Sequence, residues 1–480
     1  MRNILVFTGI AILLFSACRR DRIFSGKAQL EFSTDTVYFD TVFTTVGSLT
    51  ERVKIFNPYS ETVELTRVYL ELGSASNFKL NVDGIPGKEV TDVIIAPFDS
   101  IFVFIEVTVD PNGGTTPMVI EERLMVETDK NQQSVALIAW GQDAYFYPAI
   151  NFGDADGNGM GDQWVLPVDK PIVFYGYSVV DTGAVLTIPC GARVHFHSNS
   201  GLIVGHQASL KILGCEGDPI IIQGDRLEDF FDDLPGQWGE LIGGIYLTQT
   251  SIDNEVRNAI IKNGTVGIIV DSNTNANPSL ILENTQILNM SFFGLLAQDA
   301  RVEAKNTLIA NCGDHAVALR YGGNYIFEHC TFANFWSENP RSKTTLLINN
   351  QFRVNGIDYV RDFNARFDNT IIYGALDEEV EIDGDESEPF NYLFDHCVLK
   401  RDTNELNDPL HYQDIVLNPF PAQSSGAGQN PVFGDISKGY ALFDLSAARD
   451  KGKPSSVLTD IEGNSRGDGS PDIGAYEFIP

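Results

Sequence analysis

Positive charge is scarce in this sequence of 480 residues. Its 33 lysines and arginines face 65 aspartates and glutamates, which gives a formal net charge of −32 at pH 7. A surface of that sign repels nucleic-acid phosphates, so we expect no nucleic-acid partner. Calcium ions suit such a surface better than anionic partners do, and calcium is the one cofactor that we consider possible. An acidic surface by itself, however, usually only keeps a protein soluble.

Familiar catalytic and metal-binding signatures are also missing. The chain has no Gly-x-Ser-x-Gly elbow, no phosphate loop and no dinucleotide fingerprint. The cysteines that follow Cys18 form neither CxxC pairs nor a zinc spacing. The serine-hydrolase, nucleotide-binding and zinc classes are therefore without support, and we predict no metal site from the sequence.

After the N-terminus, no apolar run approaches the ~20 residues that a bilayer-spanning helix needs. Met1–Asn3 supplies a positive start, and Ile4–Ser16 is almost wholly apolar. This pattern predicts a secretory signal peptide over residues 1–17. The ending Phe15–Cys18 resembles a lipoprotein box, which implies cleavage before Cys18 and acylation of that cysteine. We therefore expect an outer-membrane lipoprotein that faces the periplasm or the cell surface, rather than a secreted protein with a chance cysteine.

Residues 18–27 are polar and predict a lipidated tether, and residues 28–147 show strands with period-two alternation. Ile101–Val107, for example, alternates closely and stops at the turn residues Asp110–Gly114. Roughly seven such strands in ~120 residues predict an antiparallel β-sandwich. The order of the segments IFNP, IIAPFDS, VTVDP and ALIAWGQ is similar to immunoglobulin-like domains that precede bacterial cell-surface modules.

A repeated frame follows in residues 148–400. Asn258–Asn263 is followed by similar segments whose last asparagines lie 26, 22 and 23 residues apart, and this period predicts a parallel β-helix. We predict residues 401–480 as its closing segment. One inward column is predicted to hold Ala259, Thr285, Thr307, Cys330, Thr370 and Cys397, and the next column Ile261, Ile287, Ile309, Phe332, Ile372 and Leu399.

The frame also predicts contacts between coils. Asn263, Asn289, Asn311 and Asn334 should stack at one corner about 4.8 Å apart and form a side-chain ladder. Cys190 and Cys215 lie 25 residues apart, close to one repeat, and export permits their oxidation. We predict a disulfide between them, although aligning Val194 with Ile220 leaves the two cysteines one residue out of register.

Two long segments carry a family resemblance. DPIIIQGDRLEDFFDDLPGQWGELIGGIYL and the later IKNGTVGIIVD resemble bacterial surface lipoproteins with right-handed parallel β-helix repeats. DIEGNSRGDGSPDIGAYEF is similar to the ending shared by many bacterial β-helix proteins. The resemblance implies an all-β chain, with an immunoglobulin-like β-sandwich before a pectate-lyase-like solenoid, and no particular reaction. We expect Asp460, Gly463, Arg466, Asp472 and Glu477 to form a salt-bridged cap over the solenoid end.

One polar column is a candidate for catalysis. Asp271, Gln298 and Arg320 occupy equivalent positions after the second strand of three coils, and Asp299 is adjacent. Two coils span about 9.6 Å, so Arg320 and the carboxylates could face one sugar unit. A cation held by Asp271 and Asp299, with Arg320 as the basic group, would suit proton removal beside a uronate. The alternative is a solvated ladder outside the barrel.

Other candidates are weaker. His195 and His197 share a strand face and should both point outward, as surface histidines or as two metal ligands. Trp238 is either a sugar-stacking platform or a cover for the edge of an apolar coil. Because convergent polar groups are few, we expect a non-catalytic protein that binds a glycan or a surface protein. A polysaccharide lyase or glycoside hydrolase acting on an acidic glycan is the alternative.

Overall fold

A computed structural model describes residues 22–240, 242–272, 277–401, 408–419, 430–467 and 469–480. Cys18 and the predicted signal peptide lie outside these ranges. The described residues form β-strands and contain no α-helix. Within the same ranges, no helix has the length and hydropathy to cross a bilayer. The described residues also include short 3-10 helices at Gly73–Ala75, Asp229–Phe231 and Ile436–Lys438.

The chain divides into two compact units. The first comprises residues 1–143 with Leu227–Asp229, and the second comprises Ala144–Arg226 with Phe230–Pro480. The first strands of the second unit begin at Tyr145 and its last strands end at Leu417. The solenoid strands therefore extend beyond residues 148–400 at both ends.

The first unit contains two five-stranded sheets, which we call the front sheet (β1-β3-β8-β5-β6) and the back sheet (β2-β10-β9-β4-β7). All neighbouring strands are antiparallel except β2 and β10, which are parallel. The strands are β1 (Glu31–Phe32), β2 (Thr36–Phe43), β3 (Glu51–Phe56), β4 (Val63–Leu70), β5 (Phe78–Val82), β6 (Ile85–Gly87), β7 (Glu89–Ile95), β8 (Ser100–Val107), β9 (Met118–Thr128) and β10 (Asn131–Gln142).

One apolar core joins the two sheets of the first unit. Val53 and Val103 of the front sheet and Leu65 and Leu137 of the back sheet are fully buried in one cluster. The alternation predicted for Ile101–Val107 is present, because β8 buries every second side chain. The first unit is thus a two-sheet sandwich, and its kinship with immunoglobulin-like domains stays a prediction.

The second unit is a parallel β-helix whose coils build three sheets, called here sheets I, II and III. Sheet I includes β16 and β19, sheet II includes β17 and β20, and sheet III includes β18 and β21. The long strands β22, β24, β25 and β26 bend from one sheet into the next. The strands are β11 (Tyr145–Pro148), β12 (Asn151–Phe152), β13 (Gln163–Val165), β14 (Ile172–Tyr175), β15 (Tyr177–Val180), β16 (Val185–Pro189), β17 (Arg193–Phe196), β18 (Gly201–Val204), β19 (Ser209–Leu213), β20 (Ile220–Gly224), β21 (Ile245–Leu247), β22 (Asn254–Lys262), β23 (Val266–Val270), β24 (Leu280–Met290), β25 (Phe293–Cys312), β26 (Val317–Glu328), β27 (Thr331–Asn334), β28 (Leu346–Asn349), β29 (Gln351–Val354), β30 (Ile357–Val360), β31 (Phe363–Asp368), β32 (Ile371–Gly374), β33 (Val380–Asp383), β34 (Phe390–Asp395), β35 (Val398–Leu399), β36 (Tyr412–Gln413) and β37 (Val416–Leu417).

Both predicted inward columns are present in sheet II. Ile261, Ile287 and Ile309 pair directly from coil to coil and are fully buried. All twelve side chains of the two columns belong to the buried interior. Since in-register stacking places each apolar side chain on its counterpart, the columns form one continuous core.

The turn from sheet I to sheet II takes one residue in the left-handed conformation. The six positions that begin the frame have φ between +44° and +52°. Asparagine and histidine tolerate this conformation better than most residues, because their short polar side chains bond locally. This explains why the frame starts with the same residue types in successive coils: Asn258, Asn284, Asn306, His329, Asn369 and His396.

Cys190 and Cys215 are joined by a disulfide in the early coils, with a Cα separation of 5.3 Å. That separation lies within the range such a bond requires. Val194 pairs with Ile222 rather than with Ile220, so the coil register differs from the one that the sequence suggested.

Trp238 is a core residue and not a sugar platform. Its side chain is fully buried, its ring stacks on Phe196 at 4.7 Å, and its Nε1 donates to the carbonyl of Lys262. Gly244 and Gly264 pass so close to the ring that an added Cβ would lie within 3 Å of it. The glycines around this tryptophan therefore make room for its ring.

The closing segment does not sit over the solenoid end, as we expected, but runs along the outer side of sheet II. Ala475 donates its backbone N–H to Thr331 Oγ1, and Gly474 donates to the carbonyl of Asn369. Outward positions of these coils are apolar, and burying them against the closing segment removes them from water. The shared cluster joins Leu308, Ala310, Ala333, Ile371 and Val398 to Val432, Phe433, Tyr440, Leu442, Ile473, Ala475 and Tyr476.

The predicted polar network of the closing segment is present in this lateral position. Arg466 Nη1 donates to Glu477 Oε2 at 2.8 Å, and their side chains are 2% and 4% exposed. Arg466 Nη2 also donates to Asn306 Oδ1, which belongs to a left-handed turn of the solenoid. Asp460 accepts the backbone N–H of Glu477. The network thus fastens the closing segment to the coil turns.

We predict that Arg466→Ala strongly destabilises the protein. Removing the guanidinium takes away the cation that neutralises the buried Glu477 carboxylate, and breaking a buried ion pair in this way costs about 3–5 kcal/mol. The change is measured by urea denaturation, from the midpoint of the transition in which the second unit unfolds. Lys438→Ala, which removes an exposed pair with Asp435, is the control and should shift stability by less than about 1 kcal/mol. Equal midpoints for the two variants would contradict the role assigned to Arg466.

Candidate functional site

The predicted candidates lie where β23 ends and where β25 and β26 bend from sheet III into sheet I. We call this side of the solenoid the edge of sheet III. Asp271 follows the last residue of β23, and Gln298 pairs directly with Arg320 in the next two coils. Asp299 is adjacent. Because neighbouring coils are about 4.8 Å apart, these polar side chains share one edge of the sheet.

Asp271 and Asp299 are brought together through Ser272. Asp271 Oδ1 accepts the backbone N–H of Ser272, and the Ser272 hydroxyl donates to Asp299 Oδ2 at 3.2 Å. Tyr246 donates its hydroxyl to Asp271 Oδ2 at 2.8 Å. Burial, the bond to Asp271 and the charge of that carboxylate raise the pKa of Tyr246 to about 12. We call Tyr246, Asp271, Ser272 and Asp299 the acidic edge.

The two carboxylates differ in environment. Burial raises the pKa of Asp299, and the nearby charges of Asp271 and Asp362 act in the same direction. The Ser272 hydrogen bond and Arg361 oppose this shift. Asp299 therefore holds a proton more readily than an ordinary aspartate does.

Arg320 does not join the carboxylates. Its Nη2 donates to the Tyr321 hydroxyl at 2.6 Å, and the guanidinium lies 4.6 Å from the centre of that ring. Among the described residues Arg320 forms no ion pair with Asp271 or Asp299, and its buried Nε has no hydrogen-bond partner. The three predicted catalytic residues thus share an edge but make no common cluster.

An aromatic hairpin stands beside the acidic edge. Strands β29 and β30 pair in antiparallel fashion, and Phe352 stacks on Tyr359 at 5.1 Å. Phe352 also contacts Tyr321 at 4.9 Å, and Tyr359 is 40% exposed. Arg361, just after the hairpin, influences the pKa of Asp299. We call Tyr321, Phe352 and Tyr359 the aromatic hairpin.

Backbone strain marks the same place. Asp299 and Tyr321 have φ of +46° and +69°, a region that bulky residues rarely adopt. Asn349 Oδ1 accepts the backbone N–H of Tyr321 and helps to hold it. Many turns of the described chain adopt this conformation, so the φ of Tyr321 supports the site only together with the neighbouring carboxylates and aromatic rings.

A second polar set, which the sequence reasoning missed, lies in an exposed loop. Carboxylate oxygens of Asp154, Asp156 and Asp162 lie within 4.8 Å of one another. The spacing Asp-x-Asp-x-Asn-Gly over 154–159 matches the first six positions of an EF-hand calcium loop. This motif could have revealed the set from the sequence. Val165 stands where the bidentate glutamate of such loops belongs. The donors suit calcium only in part, and calcium binding stays a prediction.

A third polar set already has its counter-charges. Asp395, His396 and Asp414 offer ligand atoms close together. Asp395, however, accepts hydrogen bonds from Lys453, Arg366 and His396. Two permanent cations beside one buried carboxylate make it a poor ligand for a metal ion.

The two clustered histidines differ from expectation. His195 is buried, with Nδ1 bonded to the carbonyl of Gly224, and burial lowers its pKa to about 4. His195 lies on the outer side of the strand, as predicted, but it is not a surface histidine, because that side is covered there and its strand neighbour Val173 is buried too. His197 stacks on Tyr175 and bonds to Asp225 at 2.7 Å, which raises its pKa. The rings do not form a metal pair.

The asparagine corner forms a ladder over three coils. Asn289 Nδ2 donates to Asn263 Oδ1 at 3.5 Å, and Asn311 Nδ2 donates to Asn289 Oδ1 at 3.3 Å. Asn334 departs from the predicted ladder. Its amide instead donates to the carbonyls of Cys312 and Asp314 and accepts the backbone N–H of Cys312. The backbone differs as well, since Asn334 lacks the positive φ that the three ladder asparagines share.

We predict that Asn334→Ala costs more stability than Asn289→Ala. Asn334 is fully buried, and its loss would leave backbone groups unpaired at about 1–3 kcal/mol. The long bonds of Asn289 are partly exposed, so its loss should cost less than about 1 kcal/mol. Thermal unfolding of the two variants measures the difference. A larger loss for Asn289→Ala would contradict this assignment.

Comparison with known proteins supports the fold. The family model described as right handed beta helix region matches residues 243–384. The second unit is therefore a right-handed parallel β-helix, and the prediction of an all-β chain built on this fold is confirmed. No curated protein matches the sequence.

Solved structures show weaker likenesses. The catalytic unit of a GH87 α-1,3-glucanase from Streptomyces thermodiastaticus is 13% identical, over 76% of this chain and 74% of that chain, with a TM-score of 0.32. A family 123 glycoside hydrolase from Clostridium perfringens is 9% identical, over 25% of this chain and 30% of that chain (TM-score 0.19). PapD-like domain 7 of human CEP192 is 11% identical, over 24% and 86% (TM-score 0.17). At such low scores these likenesses carry no argument about function.

Proposed function

We propose that the solenoid binds a glycan at the acidic edge and the aromatic hairpin. The observation that carries this proposal is the stacked pair of Phe352, which is half-buried, and Tyr359, which is exposed, beside hydrogen-bonding carboxylates. Aromatic faces pack against the C–H faces of sugar rings, and carboxylate oxygens accept hydrogen bonds from sugar hydroxyls.

A second candidate function is cleavage of the bound glycan, either by hydrolysis or by the elimination reaction of a polysaccharide lyase. Asp299, with its raised pKa, lies beside Asp271, and such a pair can divide the roles of acid and base. Against a lyase, Arg320 is engaged with Tyr321 and is not aimed at the carboxylates. We therefore favour binding over catalysis.

We also propose that the protein is anchored to the outer membrane through Cys18. The apolar run before this cysteine and the small residue Ala17 support the proposal. An anchored solenoid would hold its glycan site at the membrane surface, facing either the periplasm or the exterior.

The binding proposal is tested on a glycan array with full-length protein in detergent. We expect Tyr359→Ala to weaken binding of the retained glycans at least about tenfold, which corresponds to ~1.4 kcal/mol. Tyr38→Ala, an exposed tyrosine of the first unit, is the matched control and should bind as the unchanged protein does. Equal binding by all three proteins, or no retained glycan at all, would refute the proposal.

Each retained glycan is then incubated with the protein and its products are analysed, with and without calcium. Binding without depolymerisation is the expected result. Cleavage that is lost in both Asp299→Asn and Asp271→Asn would establish the enzymatic alternative instead. The unfolding midpoints of both variants show whether any loss reflects the site or the fold.

For the anchor, Cys18→Ala should move the protein from the membrane fraction to the soluble fraction. Loss of the thiol removes the acyl chains, which are the one membrane attachment we propose. Fractionation by ultracentrifugation measures the change. A variant that still pellets fully with membranes would disprove lipidation at Cys18.

A further inference from the structure

The outer face of the front sheet exposes aromatic rings. Phe102 and Phe104 of β8 point away from the core and are 39% and 40% exposed. Their ring centres are 6.0 Å apart, and the ring planes differ by only 25°. Phe56 lies on the neighbouring strand β3 of the same face. Exposed rings that are nearly parallel on a flat sheet form a continuous apolar surface.

Two cations lie among these rings. Arg52 stands opposite Phe104, and Lys54 stands opposite Phe102. Lys54 Nζ is 4.2 Å from the centre of the Phe56 ring, and both cations lie within 6 Å of Phe102. Among the described residues, neither Arg52 nor Lys54 forms an ion pair.

Carboxylates stay at the margins of this face. Glu31 stands opposite Phe56 at one edge, and Glu106 pairs with Lys79 at 3.9 Å on the other side. On the back sheet, by contrast, Arg67 is paired with Glu89. The other charges of the back-sheet strands are one arginine, Arg123, and six carboxylates: Asp40, Glu64, Asp92, Glu121, Glu122 and Glu127.

We propose that Arg52, Lys54, Phe56, Phe102 and Phe104, the basic aromatic face, bind an anionic polysaccharide. The rings would pack against sugar C–H faces, while Arg52 and Lys54 would pair with carboxylate or sulfate groups. Charge complementarity favours this occupant, since the cations have no counter-ion of their own. The proposal goes beyond the glycan site of the solenoid and does not depend on it.

A repeating chain suits the surface better than a lipid bilayer does. Interfacial membrane binding buries an apolar surface about 5–10 Å deep. Here the rings lie on the flat side of a sheet and are less than half exposed, with long cationic side chains between them. A polysaccharide can lie along such a face and present an anion to each cation.

The test uses dextran sulfate and dextran, which share a neutral backbone, together with polygalacturonate. Affinity is measured in detergent with full-length protein. Every protein used carries Tyr359→Ala, so that binding at the solenoid site is weakened. We expect retention on at least one anionic polymer and none on dextran. The double variant Arg52→Ala/Lys54→Ala should bind at least about tenfold more weakly.

Further variants separate charge from stacking. Phe104→Ala should also weaken binding about tenfold, and Phe104→Trp should restore it. Arg67→Ala on the back sheet is the matched control for charge and should bind as its parent does. Raising the salt concentration should weaken binding by the parent, because the exposed cations are screened.

Three results would overturn the proposal. One is that neither anionic polymer is retained, and another is that the double variant binds as well as its parent. The third is that vesicles rich in phosphatidylserine, but neither polymer, bind in a manner that depends on Arg52 and Lys54. That result would assign the face to a membrane. Since every protein in this test carries Tyr359→Ala, binding at the solenoid site is weakened equally in all of them, and none of these outcomes bears on the function proposed for that site.

Discussion

The solenoid depends on one constraint, which is that each coil must return to the register of the coil before it. Parallel strands about 4.8 Å apart then stack each side chain on a side chain of the same type in the next coil. Ile261, Ile287 and Ile309 stack in this way in sheet II. The return requires a tight turn between sheets I and II, and Asn284 and Asn306 provide it with φ of +48° and +44°. Without that left-handed residue, the inward columns would lose their alignment.

The same constraint divides the solenoid into a structural side and a free edge. The side of the tight turns is covered by the closing segment, where Arg466 reaches Asn306 and Gly474 reaches Asn369. The edge of sheet III tolerates insertions, because a loop there does not disturb the register of the next coil. The hairpin of β29 and β30 is such an insertion, and it brings aromatic rings to the acidic edge.

Sequence periodicity was sufficient for the core but not for the surface. The columns were predictable because each coil repeats its apolar positions at a nearly constant spacing, as at Ile287 and Ile309. The hairpin around Phe352 was not, because an insertion interrupts the period and has no counterpart in other coils. The burial of His195 escaped prediction as well, since alternation shows which residues leave the barrel and not what covers them.

Long-range contacts account for the remaining differences. The polar residues of the closing segment were predicted to interact, but their place along sheet II depends on apolar outward residues such as Leu308 and Ile371. Arg320 was expected to face the same sugar unit as Asp271 and Asp299. Its hydrogen bond to the neighbouring Tyr321 depends on the side-chain conformation, which the register of the coils does not determine. The calcium-like loop that begins at Asp154 carries its own motif and was open to sequence reasoning.

On our proposal, the edge of sheet III, with its inserted hairpin, is where the solenoid binds its glycan. Amide hydrogen exchange of the full-length protein, with and without the glycan that binds most strongly on the array, tests it most directly. The account predicts slower exchange in residues 351–360 and around Ser272 and Tyr321, with no change along the closing segment. Unchanged exchange in 351–360 at saturating glycan would contradict it.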